Sequence, residues 1–480
     1  MQVWAHLMDA LSPEQVDWIL NNGREERIAN GVALVEEDSD LDAVYFLIEG
    51  LLQARTRALG SQVLATLGPG EVVGEMSFVD RQRASASVVA AEDSLVLVLD
   101  RDTLEKALAA DATFAASFYR ELAAIACRRL RATASRLGSA TGATFGTDEP
   151  KQQAIDIAVE RLKRTLIEAE QAAGLADEVL PEAVAVKMRA EVAGFATSLN
   201  EAIGELLDPP SAMNQQLGRA VQKELLPYIR LSELGERLYS KPRGYGGDYS
   251  TLELIYQNQP SGTGVLGPAI DQALLGLPAI QALRNRRQLL AQEIRKTLDS
   301  HETGPAARVM SVACGPATEI FDVFAQLDDK SSLESTLIDV DFQALLHISE
   351  RVHQQGLQGQ VQMTVKNLVY LALGRTELET PEQDMVYSLG LIDYFNDSMA
   401  VRIIDHIHST LRLGGRMLLG NFHPANPTKA FLDHILEWNL FHRTGEDMDR
   451  LFERSKFGRP ATWVAYEDQK IYLLAECVKE

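Results

Sequence analysis

Residue types able to do chemistry gather in three places along this 480-residue chain. The first is Gly74-Glu75-Met76-Ser77, followed by Arg83 and by Ser85, Ala86 and Ser87. Glycine lets a turn bring its backbone N–H groups close to an anion, and neighbouring hydroxyls add donors. Glu75 can accept a sugar hydroxyl, and an arginine would neutralise a phosphate oxygen through a charge-assisted hydrogen bond. The second place is Ala313-Cys314-Gly315-Pro316-Ala317-Thr318-Glu319, a small-residue turn between a β run and a helical pattern. Leu337-Ile338-Asp339-Val340-Asp341 follows it as another β run. Such a turn admits a ligand close to the backbone, and an acid at the end of the next strand can accept both ribose hydroxyls. The third is a set of polar side chains flanking that unit: Arg243 and Tyr245 before it, His423 and Arg443 after it. Arg and Tyr donors would orient a carboxylate, which is already an anion and needs no base. A hydroxyl or ring nitrogen would need one, and His423 could act so.

The elements that must position these residues fall into blocks. From residue 1 to about 103, short β runs such as 44–50, 87–91 and 95–99 alternate with Gly/Pro turns, which predicts a β jelly roll or small barrel. From 103 to 137 the pattern is helical, with Phe114, Phe118, Leu122 and Ile125 at spacings of three and four. A Gly/Ser/Thr-rich stretch, 138–147, reads as a linker. Residues 152 to about 240 form a helix-rich middle region whose apolar stripes predict packing rather than chemistry. From about 306, β runs alternate with helical segments, the signature of an α/β Rossmann-like domain with a parallel sheet. The expected organisation is multidomain: 1–137, a linker 138–151, a helical connector and cap 152–300, and a core 301–480.

Composition narrows the functions. Hydrophobic residues are 46% and charged residues 24% of the chain, an ordinary globular balance. No apolar run is long enough to span a bilayer, and residues 1–6 do not read as a signal peptide. Three scattered cysteines argue against a disulfide framework or a metal site. A formal net charge of −22 opposes binding to a phosphate backbone. The basic cluster Arg128, Arg129 and Arg131 then reads as a solvated face or a salt-bridging surface, not a DNA contact. A cytoplasmic protein with no nucleic-acid partner and no stable membrane insertion is expected.

The first place, with Tyr45-Phe46-Leu47-Ile48-Glu49-Gly50 and the turn Leu67-Gly68-Pro69-Gly70-Glu71, resembles the cyclic-nucleotide-binding domain of bacterial activators and kinase regulatory subunits. That resemblance implies a cyclic nucleotide effector held by Gly74, Glu75, Met76, Ser77, Arg83 and Ser85, and a long helix that pairs two chains into a homodimer. The pattern's arginine position falls on Ala84, with Arg83 one residue early. The second place resembles motif I of the class I S-adenosylmethionine methyltransferases, with alanines at 313 and 317 where the family has glycine. It implies S-adenosylmethionine as cofactor, near Ala313, Gly315, Ala317 and Glu319. Asp339 stands at the ribose position, with Asp341 as fallback. Asn367 is expected near adenine, and Ser388 and Gly390 belong to the fourth strand's motif. Lys241-Pro242-Arg243-Gly244-Tyr245-Gly246-Gly247, Asn421-Phe422-His423-Pro424 and Trp438-Asn439-Leu440-Phe441-His442-Arg443 are similar to bacterial proteins of extracellular-factor (3-hydroxypalmitic acid methyl ester) biosynthesis. That resemblance implies methyl transfer to a small-molecule acceptor, a hydroxy fatty acid carboxylate. O- or N-methylation of another metabolite, or a non-catalytic nucleotide-responsive scaffold, are the alternatives.

Overall fold

The computed structural model describes residues 11–57, 63–136, 149–175, 180–205, 211–300 and 305–480. The expected linker, 138–147, lies outside them. No helix among the described residues is long and apolar enough to cross a membrane.

The first block folds as two facing four-stranded sheets. Strands β1 (Arg24–Ile28), β8 (Ser94–Asp100), β3 (Ala43–Glu49) and β6 (Val72–Val73) form one. Strands β2 (Ala33–Val35), β7 (Ser87–Ala90), β4 (Leu52–Arg55) and β5 (Val63–Leu67) form the other. Leu47, Leu52, Val88, Ala90, Val96 and Val98 meet between the sheets, as the alternation of a two-layer β fold requires. The remaining β3 and β8 side chains, Phe46 and Leu97 among them, pack outward against helices. The helical stretch beyond residue 100 is two helices, Arg101–Ala110 and Ala112–Arg136. They part at Asp111, whose carboxylate accepts from the Thr113 and Phe114 N–H groups and so caps the second helix.

The middle helices Glu149–Leu175, Glu182–Ile203 and Ala212–Ile229 share one continuous core with the last domain. Phe195 stacks edge-on against Phe431 at 6.3 Å, and Gln222 donates to the Ile435 carbonyl at 3.0 Å. That packing fixes the segment 429–438, which carries Trp438 to the site described below.

The last block is a seven-stranded sheet in the order β11-β10-β9-β12-β13-β15-β14. Strands β9 (Ala307–Val312), β10 (Leu333–Asp339), β11 (Val361–Val365), β12 (Gln383–Leu389) and β13 (Leu411–Phe422) run parallel, and β15 (Tyr472–Val478) lies antiparallel between β13 and β14 (Trp463–Tyr466). The order reverses between β9 and β10 on one side and β12 on the other, and ligands of such sheets bind at that switch point, beyond the strands' C-terminal ends. Residues 411–422 form one strand from Leu411, although Gly414 and Gly415 stand within it. Gly414, at φ +75°, lets the chain bulge within β13, and the β12–β13 register shifts beside it.

Gly420 sits mid-strand because Tyr472 lies over it: an added Cβ would meet Tyr472 Oη at 2.5 Å and Leu389 at 2.7 Å. Gly420→Ala is expected to destabilise the protein by about 1–3 kcal/mol through overpacking, read as a lower urea midpoint with an unchanged slope.

Candidate active site at the end of the parallel sheet

The turn after β9 keeps its shape although it has lost two glycines. Ala313, Gly315 and Ala317 adopt φ of +57°, +51° and +46°. A left-handed alanine costs about 1–2 kcal/mol, so the surroundings must hold the turn. Cys314 N–H donates to Ile338 O at 3.0 Å, and Gly315 N–H donates to Asp339 Oδ2 at 2.8 Å. Asp339 ends β10, and its Oδ1 accepts from Asp341 N–H at 2.9 Å. Burial pushes its carboxyl up to about 6, although these backbone N–H groups favour the ionised form. Each of its oxygens keeps a lone pair for a further donor.

This turn lines a cleft. Ala313, Gly315, Asp339, Val340, Leu368 and Gly390 contribute to its lining, as do Tyr245, Arg286, Asp393, Tyr394, Phe422 and Trp438. Gly246 and Gly247 let the 244–247 loop lie flat on two rings, since a Cβ on either would come within 3.0 Å of Trp438 or 2.9 Å of Tyr394 Oη. Trp438 Nε1–H donates to Tyr394 Oη at 2.9 Å.

Two buried charges in the cleft each keep one atom unmatched. Asp393 is 1% exposed; its Oδ1 accepts from Phe422 N–H at 2.8 Å, while its Oδ2 has no partner. Burial raises its carboxyl to about 6, opposed by the Phe422 N–H and by Arg286 and Arg443. Arg286, 3% exposed, lies over the Tyr472 ring at 4.7 Å and is hydrogen-bonded to Tyr256. It has no ion pair among the described residues, and its Nε has no hydrogen-bond acceptor. Buried polar groups are nearly always satisfied, and here two charged groups of one cleft each have an atom that is not.

Of the residues expected at the acceptor, Tyr245 alone lies in this cleft, its phenol held far above the usual range by burial and by the charges of Asp339 and Asp341. Arg243 is committed elsewhere: it grips Asp341 at 2.6 and 2.8 Å and Glu92 at 2.6 and 3.1 Å. Asp341 is thereby occupied, and Asp339 holds the cleft position. Arg443 is a buried brace, donating to the Ile392 and Phe395 carbonyls, Asn421 and Asp397. His423 accepts from Ala425 N–H through Nδ1 and packs on Tyr466, outside the cleft lining; burial lowers its pKa.

Three expected cofactor residues also make hydrogen bonds within the protein. Glu319 accepts from Tyr387 Oη–H at 2.7 Å, and the Ser388 hydroxyl donates to Val312 O at 2.7 Å, so both tie β12 to the β9 unit. Asn367 lines the cleft, yet its side-chain oxygen caps the helix Leu368–Ala372 and its Nδ2 donates to Ile48 O of the first domain at 2.8 Å. Asp393 lay inside a recognised strand-end motif, and Arg286 inside the run Arg284-Asn285-Arg286-Arg287, which reads as an exposed helix face. Neither had a sequence signal to separate it from its neighbours.

In the first domain, Gly74 takes φ +87° and opens the short helix Glu75–Asp80. Glu75 is buried and paired with Arg129 at 2.7 Å, and Arg129 also holds Glu71 at 2.7 Å. Ser77 is buried, with its carbonyl accepting from Arg101, whereas Met76 and Ser85 are exposed. Arg83 points outward to Asp40 at 3.2 Å, while Ala84 turns into the barrel core. Both residues lie in the irregular loop that precedes β7, which begins at Ser87.

The comparisons agree with this division. A family model described as "Cyclic nucleotide-binding domain" matches residues 25–111, and one described as "Putative methyltransferase" matches residues 187–465, more than half of the chain. The cyclic AMP receptor protein of Thermus thermophilus is 37% identical over 98 residues, covering 20% of this chain and 45% of that protein. The uncharacterized protein YnbC of Escherichia coli K12 is 24% identical over 221 residues, covering 44% of this chain and 37% of that protein. The chain thus spans less than half the length of either relative. Among solved structures, a possible exported protein of Bordetella parapertussis is 20% identical, with a TM-score of 0.43, over 62% of this chain and 96% of that one. With its family match running from the middle helices through the sheet that builds the cleft, the chain belongs to this methyltransferase family and carries a cyclic-nucleotide-binding domain ahead of it.

Proposed function

We propose that this protein transfers a methyl group from S-adenosylmethionine to an oxygen of a small, largely apolar molecule. The observation that carries the reading is the left-handed turn at Ala313–Ala317 clamped by the Asp339 carboxylate, at the switch point of the sheet. The donor supplies an electrophilic methyl on a cationic sulfonium. Backbone at Gly315 admits its close approach, and Asp339, when ionised, accepts ribose hydroxyls with the lone pairs it has left. Buried carboxylates at Asp339 and Asp393 favour a cation in the cleft.

For the acceptor, the hydroxy fatty acid implied by the resemblance suits the lining. Its chain would lie against Phe395, Trp438 and Leu440, and its carboxylate would pair with Arg286. The product is then a methyl ester, and no base is needed. A second reading is favoured by Asp393 Oδ2, which has no donor. A hydroxyl acceptor would give its proton to that oxygen and receive a hydrogen bond from Arg286, and the product is a methyl ether. The first domain's effector is proposed to be a cyclic nucleotide, with Glu75 taking the ribose and no cassette arginine facing the phosphate.

Calorimetry with the purified protein tests the donor. Micromolar binding of S-adenosylmethionine is expected to weaken as pH falls through about 6, because Asp339 then takes up a proton. Asp339→Ala should lose it, and a parent protein with no binding at millimolar ligand sinks the reading. Asp393→Asn separates the acceptors at saturating donor: the hydroxyl reading expects kcat to fall by about 10²–10⁴, with unchanged donor affinity. The carboxylate reading expects little change in Asp393→Asn and a raised acceptor KM in Arg286→Leu. For the effector, Ala84→Arg should tighten cyclic AMP or cyclic GMP by about tenfold in a protein that retains its melting temperature. Equal affinity would mean the phosphate is held elsewhere.

A further inference from the structure

The wall of the donor cleft is not made by the methyltransferase domain alone. Pro69 and Gly70, on the turn between β5 and β6 of the first domain, line the cleft together with Tyr245 and Val340. Three contacts hold the turn in place. Gly68 lies against the backbone of the 243–244 loop, so that an added Cβ would stand 3.0 Å from Gly244 Cα and 3.1 Å from Arg243 O. Asn367 donates to Ile48 O, and the adjoining Leu47 exchanges backbone hydrogen bonds with the turn: Gly70 N–H to Leu47 O at 2.7 Å, and Leu47 N–H to Glu71 O at 2.9 Å. Arg243 joins Glu92 of the first domain to Asp341, two residues past Asp339, with all three side chains largely shielded from solvent. Glu71, next to Gly70, is held in turn by Arg129, the same arginine that holds Glu75 of the cassette.

We propose that the cyclic-nucleotide-binding domain is a working part of the donor site, supplying the Pro69–Gly70 wall, and that Arg243 and Glu92 are positioning residues that keep this wall closed. The inference rests on the donor reading above. Its physical content is a coupling: any displacement of the turn opens the cleft and lowers donor affinity without touching Asp339, Gly315 or the acceptor contacts. Arg243, first read as a substrate-orienting group, then acts through Glu92 and Asp341. The link through Arg129 gives the cassette a short covalent and ionic route to the same wall, from Glu75 to Glu71 and on to Gly70.

The test uses the full chain and S-adenosylhomocysteine, the demethylated donor, so that binding is read apart from turnover. Gly68→Ala is a clean wedge: Gly68 is not in the left-handed region, and what its Cβ meets is backbone that cannot swing away. Glu92→Gln removes one arm of the Arg243 bridge and leaves Asp341 in place. Both variants are expected to bind S-adenosylhomocysteine about tenfold more weakly, at a melting temperature within a degree or two of the parent, and Glu92→Asp should recover part of the loss. In the parent, the ligand should slow hydrogen exchange at the Gly70 and Glu71 amides. Parental affinity in both folded variants, or unchanged exchange at those amides, overturns the proposal. A parent that binds no S-adenosylhomocysteine overturns the donor reading and this inference with it. If Gly68→Ala does not fold, Glu92→Gln and the exchange measurement decide alone.

Discussion

The hydrogen bond from Gly315 N–H to Asp339 is the contact on which the site depends. It joins the ends of two neighbouring parallel strands, β9 and β10, at the point where the sheet reverses its order. Together with the Cys314 N–H to Ile338 O bond, it offsets the cost of two alanines at positive φ. The same carboxylate also takes the Asp341 N–H, which sets the start of the helix Phe342–Gln355 and aims the Asp341 side chain at Arg243. One buried acid therefore shapes the cofactor turn, starts the next helix and anchors the bridge to the first domain. Its raised pKa follows from that burial, since desolvation outweighs the N–H groups that favour its charge.

How completely each buried charge is matched separates scaffolding from site. Arg443 meets two carbonyls, an amide oxygen and Asp397; Arg416 meets Glu293 and Glu476; Arg243 meets two carboxylates. Such groups are costly to disturb and have no capacity to spare for a ligand. Arg286 and Asp393 differ: each is almost wholly buried, each lines the cleft, and each keeps an atom without a partner. Buried atoms without a partner also occur outside the cleft, at Arg284 for one, so it is their place in the lining that supports reading Arg286 and Asp393 as acceptor contacts in the function proposed above.

The fold could be read from the sequence because the features that set it are local. The continuous apolar runs in 43–49 and 94–100, the small-residue turn at 313–317 and the acid closing β10 are each set by residues a few positions apart. Gly315, Asp339, Asn367 and Tyr245, singled out from the sequence, line the cleft. The partners that Arg243, Asn367 and Arg443 hold within the protein could not be read, because a polar side chain in a recognised motif looks alike whether its partner is a ligand or a distant residue. Their partners Glu92, Ile48 and Ile392 lie 151, 319 and 51 residues away. Arg286 was hidden for the opposite reason. Its helix, Pro278–Asp299, is so rich in Arg, Gln and Lys that one inward-facing arginine cannot be told from its exposed neighbours without the sheet against which it packs.

The cassette is a case where a domain keeps its shape while its chemistry shifts. Residues 83 and 84 lie in the loop before β7, where Arg83 reaches out to Asp40 and the Ala84 methyl packs in the interior. An alanine there packs in the barrel core without a charge to satisfy. What the methyltransferase takes from the domain, the turn at Pro69–Gly70 and the carboxylate of Glu92, lies on the barrel's outer edge and does not depend on which residue fills its interior. Contact with the cleft thus constrains the first domain's surface and backbone, whatever its interior holds. Gly68 facing Gly244 shows how tight that constraint is: a Cβ on Gly68 would stand 3.0 Å from Gly244 Cα, and one on Gly244 2.6 Å from Gly68 Cα.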